Sequence, residues 1–250
     1  MKDKIISLIN SIPKKENLRI VAIVGSGASV ASGMKTFRGK DGLYEGKKAE
    51  DLASRRGFSQ DPQLVWNWYR ERISNVLSAD PNPIHYAIVK LEEMGLLSVL
   101  ITQNVDGLHR RAGQQKVIEI HGNILQTHCF DNCGKTGKMD TVPEIVPIKC
   151  ECGSFQRPSV VWFGESLNFE NLQNAEKYLK EAAMVLIIGT SGYVYPVAQF
   201  PIFAKYQGNA KLIEFNTQES MFKSVNDLFI EGPAEETFPE FVDILLETIY

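Results

Sequence analysis

The sequence predicts an α/β fold: a doubly wound parallel sheet with a smaller domain assembled from two insertions, one helical and one built around cysteines. Three observations predict it. Short apolar runs recur along the chain and alternate with helical stretches, the pattern of strands crossed over by helices. The first run, Arg19 to Val24, ends in a glycine-rich turn, which suits a buried parallel strand feeding a loop. Two long stretches, Arg38 to Leu77 and Gln126 to Val160, break the alternation and read as insertions.

Met1 to Ile12 places Ile5, Ile6, Leu8, Ile9 and Ile12 at the spacing of an amphipathic helix rather than a leader's apolar stretch. After the Arg19 to Val24 strand, Asp61 to Leu77 reads as a helix, with Asp61 as cap and Pro62 in the first turn. A helix over Ile84 to Met94, closed by Gly95, leads to a strand over Leu97 to Thr102 and another over Val117 to Ile120. Leu172 to Ala183 is a helix, Met184 to Gly189 and Lys211 to Phe215 are strands, and Phe238 to Ile249 is a closing helix. The expected organisation is one unit over 1–250. Its large domain comprises 1–37, 80–125 and 160–250, and its small domain the helical insertion 38–79 and the cysteine insertion 126–159.

The bulk properties fit one such unit. A chain of 250 residues, 44% hydrophobic and 23% charged, can bury one large core and an appended module. A net charge of -3 with no dense Lys/Arg block gives no reason to expect nucleic acid or an anionic membrane as partner. No run reaches the roughly 18 apolar residues of a membrane span. The expected location is the cytoplasm. All four cysteines fall between Cys129 and Cys152, an odd disulfide set, so a metal explains them better.

Cys129-x3-Cys133 and Cys150-x-Cys152 form two close pairs sixteen residues apart, with Gly134 and Gly153 following each pair. Four thiolates complete a closed tetrahedral zinc site, which is structural rather than catalytic; the alternative is four buried thiols. Gly25-Ser26-Gly27, with Gly33 further on, follows the first strand. Glycines there admit a pyrophosphate to backbone N–H groups, helped by a following helix N-terminus; a tight structural turn is the alternative. The dinucleotide fingerprint G-x-G-x-x-G fails, because position 30 is Val.

Thr102-Gln103-Asn104-Val105-Asp106-Gly107-Leu108-His109, then Ile118-Glu119-Ile120-His121-Gly122-Asn123, decide the family. They occur in order with Gly25-Ser26-Gly27-Ala28-Ser29, the loop Ser32 to Gly39, the cysteine cluster, Val160-Val161-Trp162-Phe163-Gly164-Glu165 and Gly189-Thr190-Ser191. From about residue 20 to residue 245 the chain closely resembles the sirtuins. The resemblance implies a Rossmann-like sheet, bound zinc, and an NAD-dependent enzyme that removes acyl groups from lysines of other proteins, releasing nicotinamide and O-acyl-ADP-ribose.

Carried over position by position, it makes His121 the general base. His121 would take a proton from the ribose of NAD after the acyl oxygen has attacked the sugar and nicotinamide has left, a task suited to an imidazole with an ordinary pKa of about 6.5. Asn104 and Asp106 join it as catalytic residues. The NAD set is Gly25, Ser26, Gly27, Ala28, Ser29, Gly33, Phe37, Arg38, Tyr44, Gln103, Asn104, Asp106, Gly189, Thr190, Ser191, Asn216, Thr217 and Ala234. Without the resemblance, His121 reads as a structural histidine, and Asn-Val-Asp-Gly as a turn with Asx caps. Val160 to Gly164 would pair with the substrate backbone by strand addition, Trp162 and Phe163 walling the acyl-lysine channel. Cys129, Cys133, Cys150 and Cys152 would hold the zinc.

Two features bear on the acyl group. Lys35-Thr36 stands where many sirtuins carry Pro-Asp, so a carboxylate near the nicotinamide pocket is missing. Tyr69 and Arg72, three apart on one helix face, resemble the branch that removes succinyl, malonyl or glutaryl groups, with a small Ala53 leaving room for the longer chain. The alternative is an amphipathic helix with Trp66 and Tyr69 in the core and Arg72 solvated. Mono-ADP-ribosyl transfer, a non-catalytic acyl-lysine reader and a nicotinamide oxidoreductase are the rival functions, the last disfavoured by the broken glycine fingerprint.

Overall fold

The computed structural model describes residues 1–13, 18–37, 42–43 and 49–250. In chain order these form α1 (Lys2–Asn10), β1 (Ile20–Val24), a 3-10 helix (Ser26–Ser32), α2 (Ala49–Leu52), α3 (Arg55–Gln60), α4 (Pro62–Ser78), α5 (Pro83–Glu93), β2 (Leu97–Thr102), α6 (Leu108–Arg111) and β3 (Val117–Glu119). There follow β4 (Gly122–Cys129), β5 (Thr136–Lys138), β6 (Gln156–Val160), α7 (Phe169–Glu181), β7 (Met184–Ile188), a 3-10 turn (Val197–Gln199), α8 (Phe200–Gly208), β8 (Lys211–Asn216), β9 (Leu228–Glu231) and α9 (Ala234–Ile249). Arg38 and Tyr44, expected near bound NAD, lie outside the described residues.

A parallel sheet of order β3-β2-β1-β7-β8-β9 forms the main layer. Parallel strands covered on both sides must be apolar on both faces, and β1 shows why its run is unbroken. Ile20, Ala22 and Val24 pack into the core shared with α1, α5 and α9, whereas Val21 and Ile23 join the core under α7 and α8. The doubly wound reading is therefore the fold observed.

A second sheet, antiparallel and of order β5-β4-β6, stands apart with its own core. Leu52, Phe58, Trp66 and Tyr69 from the helical stretch pack with Ile124, Met139, Val160 and Trp162 from the cysteine-bearing one. Two stretches separated in sequence thus share one apolar cluster. β4 runs unbroken through residues 125 and 126, linking the strand ends of the main sheet to the cysteines.

Several elements differ from the sequence reading. The segment after β1 is a 3-10 helix of 7 residues, not an α-helix, so the expected helix N-terminus for a phosphate is absent there. α8 and β9 were not read. Pro201 looks like a helix breaker, yet it sits in the first turn of α8, where its missing N–H has no partner to lose. α9 begins at Ala234 rather than Phe238, with the Glu236 and Thr237 N–H groups donating to the Pro233 carbonyl and Pro239 accommodated early in the helix.

Candidate active site

The chain leaves β1 toward β2 on one side and later returns to β7 on the other, so the strand order reverses between β1 and β7. Ligands of open parallel sheets sit beyond the carboxyl ends at such a reversal. The loops there meet closely: Gly25 N–H donates to the Ile188 carbonyl at 3.0 Å and Gly27 N–H to the Gly189 carbonyl at 2.9 Å. A Cβ on Gly25 would lie 2.7 Å from the Gly189 oxygen, and one on Gly27 2.8 Å from Gly189 Cα. At these two positions glycine serves the approach of one loop to another, and both amides are engaged within the protein.

Beyond β2, three side chains lock together. Ser29 Oγ donates to Asp106 Oδ2 at 2.8 Å and accepts from Asn104 Nδ2 at 3.0 Å. Asp106 Oδ1 accepts from the Leu108 N–H at 2.9 Å. Burial raises the Asp106 carboxyl above its ordinary range, and the bonds from Leu108 and Ser29 oppose that rise. Gln103 ties the neighbouring strand ends, its Nε2 donating to Thr190 Oγ1 at 3.0 Å.

His121, in the turn between β3 and β4, has Nδ1 3.1 Å from the Gln103 carbonyl oxygen. A carbonyl only accepts, so Nδ1 carries the hydrogen and Nε2 is left with the lone pair, the tautomer a base needs. Burial pushes its pKa below the usual imidazole value, which keeps the ring neutral at pH about 7. Its own carbonyl accepts the Val161 N–H at 2.9 Å, coupling it to the stretch after β6. The remaining histidines lie elsewhere: His85 and His109 pack ring to ring in the interior, and His128 Nδ1 meets Ser159 Oγ.

Phe37 N–H donates to Ser26 Oγ, and the Phe37 ring faces Phe163 with centroids 6.2 Å apart. Gly33, at φ +82, closes the 3-10 helix over open space. Ala28 is buried, and Ser191 is exposed beyond β7. Asn216 Nδ2 donates to the Thr190 carbonyl at 3.2 Å, its Oδ1 accepts the Thr217 N–H, and buried Ala234 opens α9.

On the opposite side, Phe163 N–H donates to the Ala53 carbonyl at 2.9 Å, pairing the helical insertion with the stretch after β6. Trp162 and Phe163 take different neighbours: Trp162 is buried beside Phe58 and Tyr69, whereas Phe163 is exposed and lies by Phe37. Val160 is buried at the end of β6, Val161 follows, and Gly164 takes φ +83. Arg72 is not solvated. Its guanidinium stacks 3.5 Å from the Trp68 ring centroid, Nη1 donates to the Trp68 carbonyl at 2.7 Å and Nη2 to Leu43 at 3.4 Å.

Cys129 and Cys152 sulfurs lie 3.5 Å apart, as do Cys133 and Cys150, and all four are within 4.8 Å of one another. These separations are too long for S–S bonds and fit the corners of a tetrahedron about a zinc ion with Zn–S of about 2.3 Å. Gly134 and Gly153, at φ +86 and +95, turn the two knuckles.

Two groups escaped sequence reasoning. Asn82 braces the glycine loop from below, Nδ2 donating to the Ala28 carbonyl at 2.8 Å and to Ser32 Oγ at 3.0 Å while Oδ1 caps α5. Asn-Pro ahead of an apolar run was the available signal. Arg157 is buried and grips Glu165 with two bonds, at 2.5 and 2.8 Å. Nothing local marks that arginine as interior.

Residues 25–196 match the Sir2 family profile, from the glycine loop through the end of the Gly189 loop. The chain belongs to the Sir2 family. An NAD-dependent protein deacylase of Thermococcus kodakarensis is 44% identical over 238 residues, covering 91% of this chain and 92% of the relative. A solved Sir2 homologue–NAD complex superposes with TM-score 0.90 at 38% identity, over 100% of this chain and 96% of the other. A Sir2 variant solved with a deacetylated p53 peptide and 3'-O-acetyl ADP ribose gives TM-score 0.83 at 32% identity, over 98% and 97%. Among the described residues of this sirtuin, no helix is long and apolar enough to cross a membrane.

Proposed function

We propose that this sirtuin is an NAD-dependent protein-lysine deacylase acting on acetyl-lysine and on acidic acyl-lysines such as succinyl- and malonyl-lysine. The observation that carries the activity is the anchoring of His121 on the Gln103 carbonyl, one residue from Asn104, so base and amide arise at the ends of the neighbouring strands β3 and β2. NAD would supply the acyl acceptor, with one water consumed as nicotinamide, the free lysine and O-acyl-ADP-ribose are released. The donor set fits that co-substrate, since Gln103, Asn104 and Asp106 present the amides and carboxylate that grip ribose hydroxyls and a carboxamide. Ser29 holds Asn104 and Asp106 in register. His121, neutral and with Nε2 unprotonated, takes the proton of a ribose hydroxyl. Phe37 and Phe163 screen the sugar from water, and Thr190, Ser191, Asn216 and Thr217 face the adenosine half.

The four cysteines hold zinc in a structural role, bracing the end of β4 farthest from the main sheet. Four thiols without disulfides suit a reducing compartment, the cytoplasm. The acyl preference rests on Tyr69 and Arg72, where Arg offers a planar fork matching a carboxylate. Purified protein with NAD and matched acetyl- and succinyl-lysine peptides, followed by mass spectrometry, tests both parts. His121→Tyr should abolish acyl-dependent nicotinamide release, and full activity in that variant would sink the enzymatic reading. Arg72→Met should cut desuccinylation far more than deacetylation; equal losses would remove the acidic-acyl reading alone.

A further inference from the structure

We propose that Asn123 is a positioning residue for the reaction: its side-chain amide, bonded to Glu119, closes the turn that carries His121 and holds that turn against the loop of Asn104 and Asp106. The inference rests on the reading of His121 as the base.

His121 stands midway between residues 119 and 123, whose side chains meet across the turn. Asn123 Nδ2 donates to Glu119 Oε1 at 2.7 Å, and Asn123 Oδ1 accepts the Leu125 N–H at 2.9 Å. A backbone N–H can only donate, so the amide oxygen must face Leu125 and the amide nitrogen must face Glu119. Asn123 is buried, and its amide is held in one orientation.

The same amide reaches the other arm of the site. A Cβ built on Gly107 would lie 3.1 Å from Asn123 Nδ2, so the amide packs against the backbone directly after Asp106. The Ile124 N–H donates to the Val105 carbonyl at 2.8 Å, which joins the start of β4 to that loop through the main chain. The second Glu119 oxygen accepts from Arg110 Nε at 3.2 Å; Arg110 lies in α6, whose first residue, Leu108, donates its N–H to Asp106 Oδ1. Arg110 is half exposed, and an ion pair so open to water contributes little, which leaves the buried amide as the stronger link. Other main-chain bonds hold the turn to β2, through Ile120 N–H and the Thr102 carbonyl, and to the stretch after β6, through Val161 N–H and the His121 carbonyl. The Asn123 amide adds the span to the Asp106 loop, and with it the separation of the base from the amide of Asn104 and the carboxylate of Asp106.

Exchanging the two groups tests this at constant size. Asn123→Asp sets a carboxylate oxygen against the Glu119 carboxylate, two acceptors with no hydrogen between them in a buried place. At a temperature where the protein is folded, kcat on an acetyl-lysine peptide should fall about tenfold, with KM for NAD and for the peptide within about twofold of wild type, because a shift of well under about 1 Å at the base is enough for that. Adding Glu119→Gln supplies the missing donor: the new amide nitrogen faces the new carboxylate, and the new amide oxygen accepts from Arg110. The double variant should recover kcat to within about threefold of wild type. Asn123→Ala removes the contact without repulsion and should show the same split at about fivefold, and it decides the matter if Asn123→Asp does not fold. A kcat within about twofold of wild type in Asn123→Ala, a loss that sits in KM rather than kcat, or a folded double variant as slow as Asn123→Asp alone would overturn the role of Asn123. With His121→Tyr inactive, each of those results leaves the enzymatic reading standing. Full activity in His121→Tyr, or no acyl-dependent turnover by the wild type, would instead overturn that reading and this inference with it.

Discussion

Gly122→Ala places a single methyl group where His121, the proposed base, meets β6. Gly122 follows His121 and opens β4 with φ +83, and a Cβ built there would lie 2.0 Å from the Ser159 carbonyl oxygen. An ordinary C···O contact is about 3.4 Å, so β6 would have to retreat by about 1.4 Å. Three links oppose that retreat: the Gly122–Val160 and Asn123–Ser159 pairings, and the Val161 N–H bond to the His121 carbonyl. Alanine at positive φ costs about 1–2 kcal/mol, and the loss of one strained backbone bond adds about 1 kcal/mol. The expected destabilisation is about 2–3 kcal/mol, with a fall of about a hundredfold in kcat/KM, because a displacement near 1 Å at the reacting centre costs about that much. Urea unfolding and deacetylation of an acetyl-lysine peptide read the two quantities. Gly95→Ala is the control: it has φ +72 with nothing within 4 Å of the added methyl and lies at the far end of α5, so it should lose about 1 kcal/mol and keep its activity. If Gly122→Ala stays within about threefold of wild-type activity with an unchanged midpoint, the packing of His121 against β6 is not what holds the site.

Chelation, or Cys133→Ser, should release about one zinc per chain and lower Tm, as elemental analysis and calorimetry would show; a chain that carries no metal when purified without chelator refutes the cluster's role. Burial holds His85 at about 4 and His109 well below the ordinary imidazole value, so both are neutral when folded and gain protons on unfolding. Stability is then full above pH about 6.5 and falls as pH drops from there toward about 4, by about 1.4 kcal/mol per unit for each histidine and about 3 kcal/mol for His85 over the window. Urea midpoints at about pH 7.5 and about pH 5.5 measure it, and equal slopes in wild type and a His85→Gln, His109→Phe double variant would contradict it. Arg157→Met strands the half-buried Glu165 carboxylate and should cost about 3 kcal/mol, whereas adding Glu165→Gln should recover part of that loss; additive losses would show the two are not a pair.

Much of this protein was legible without coordinates, because the signals concerned are local. A strand buried on both faces must be apolar at every position, so Ile20 to Val24 and Met184 to Ile188 announced themselves. Two cysteine pairs sixteen residues apart report a metal whatever surrounds them. Asp61-Pro62 signalled a helix start through the chemistry of the cap alone, and Asp61 Oδ1 does accept the Leu64 N–H. Elements whose identity depends on what covers them were missed: β9 is a short edge strand of 4 residues, and α8 carries a proline that only its place in the first turn excuses.

The residues themselves carried the family, the alternation of most strands and helices, and the pairing of four cysteines, since each follows from spacing and side-chain type along one stretch of chain. Folding alone decided which partners those side chains take. Ser29 meets Asp106 across 77 residues and Gln103 meets Thr190 across 87, because the order of strands in the sheet brings their ends together. The tautomer of His121, the engagement of the Gly25 and Gly27 amides and the burial of Trp162 belong to that second class. Hydrogen-bond direction and desolvation depend on which atoms lie nearby in space, and no periodicity in a sequence carries that information.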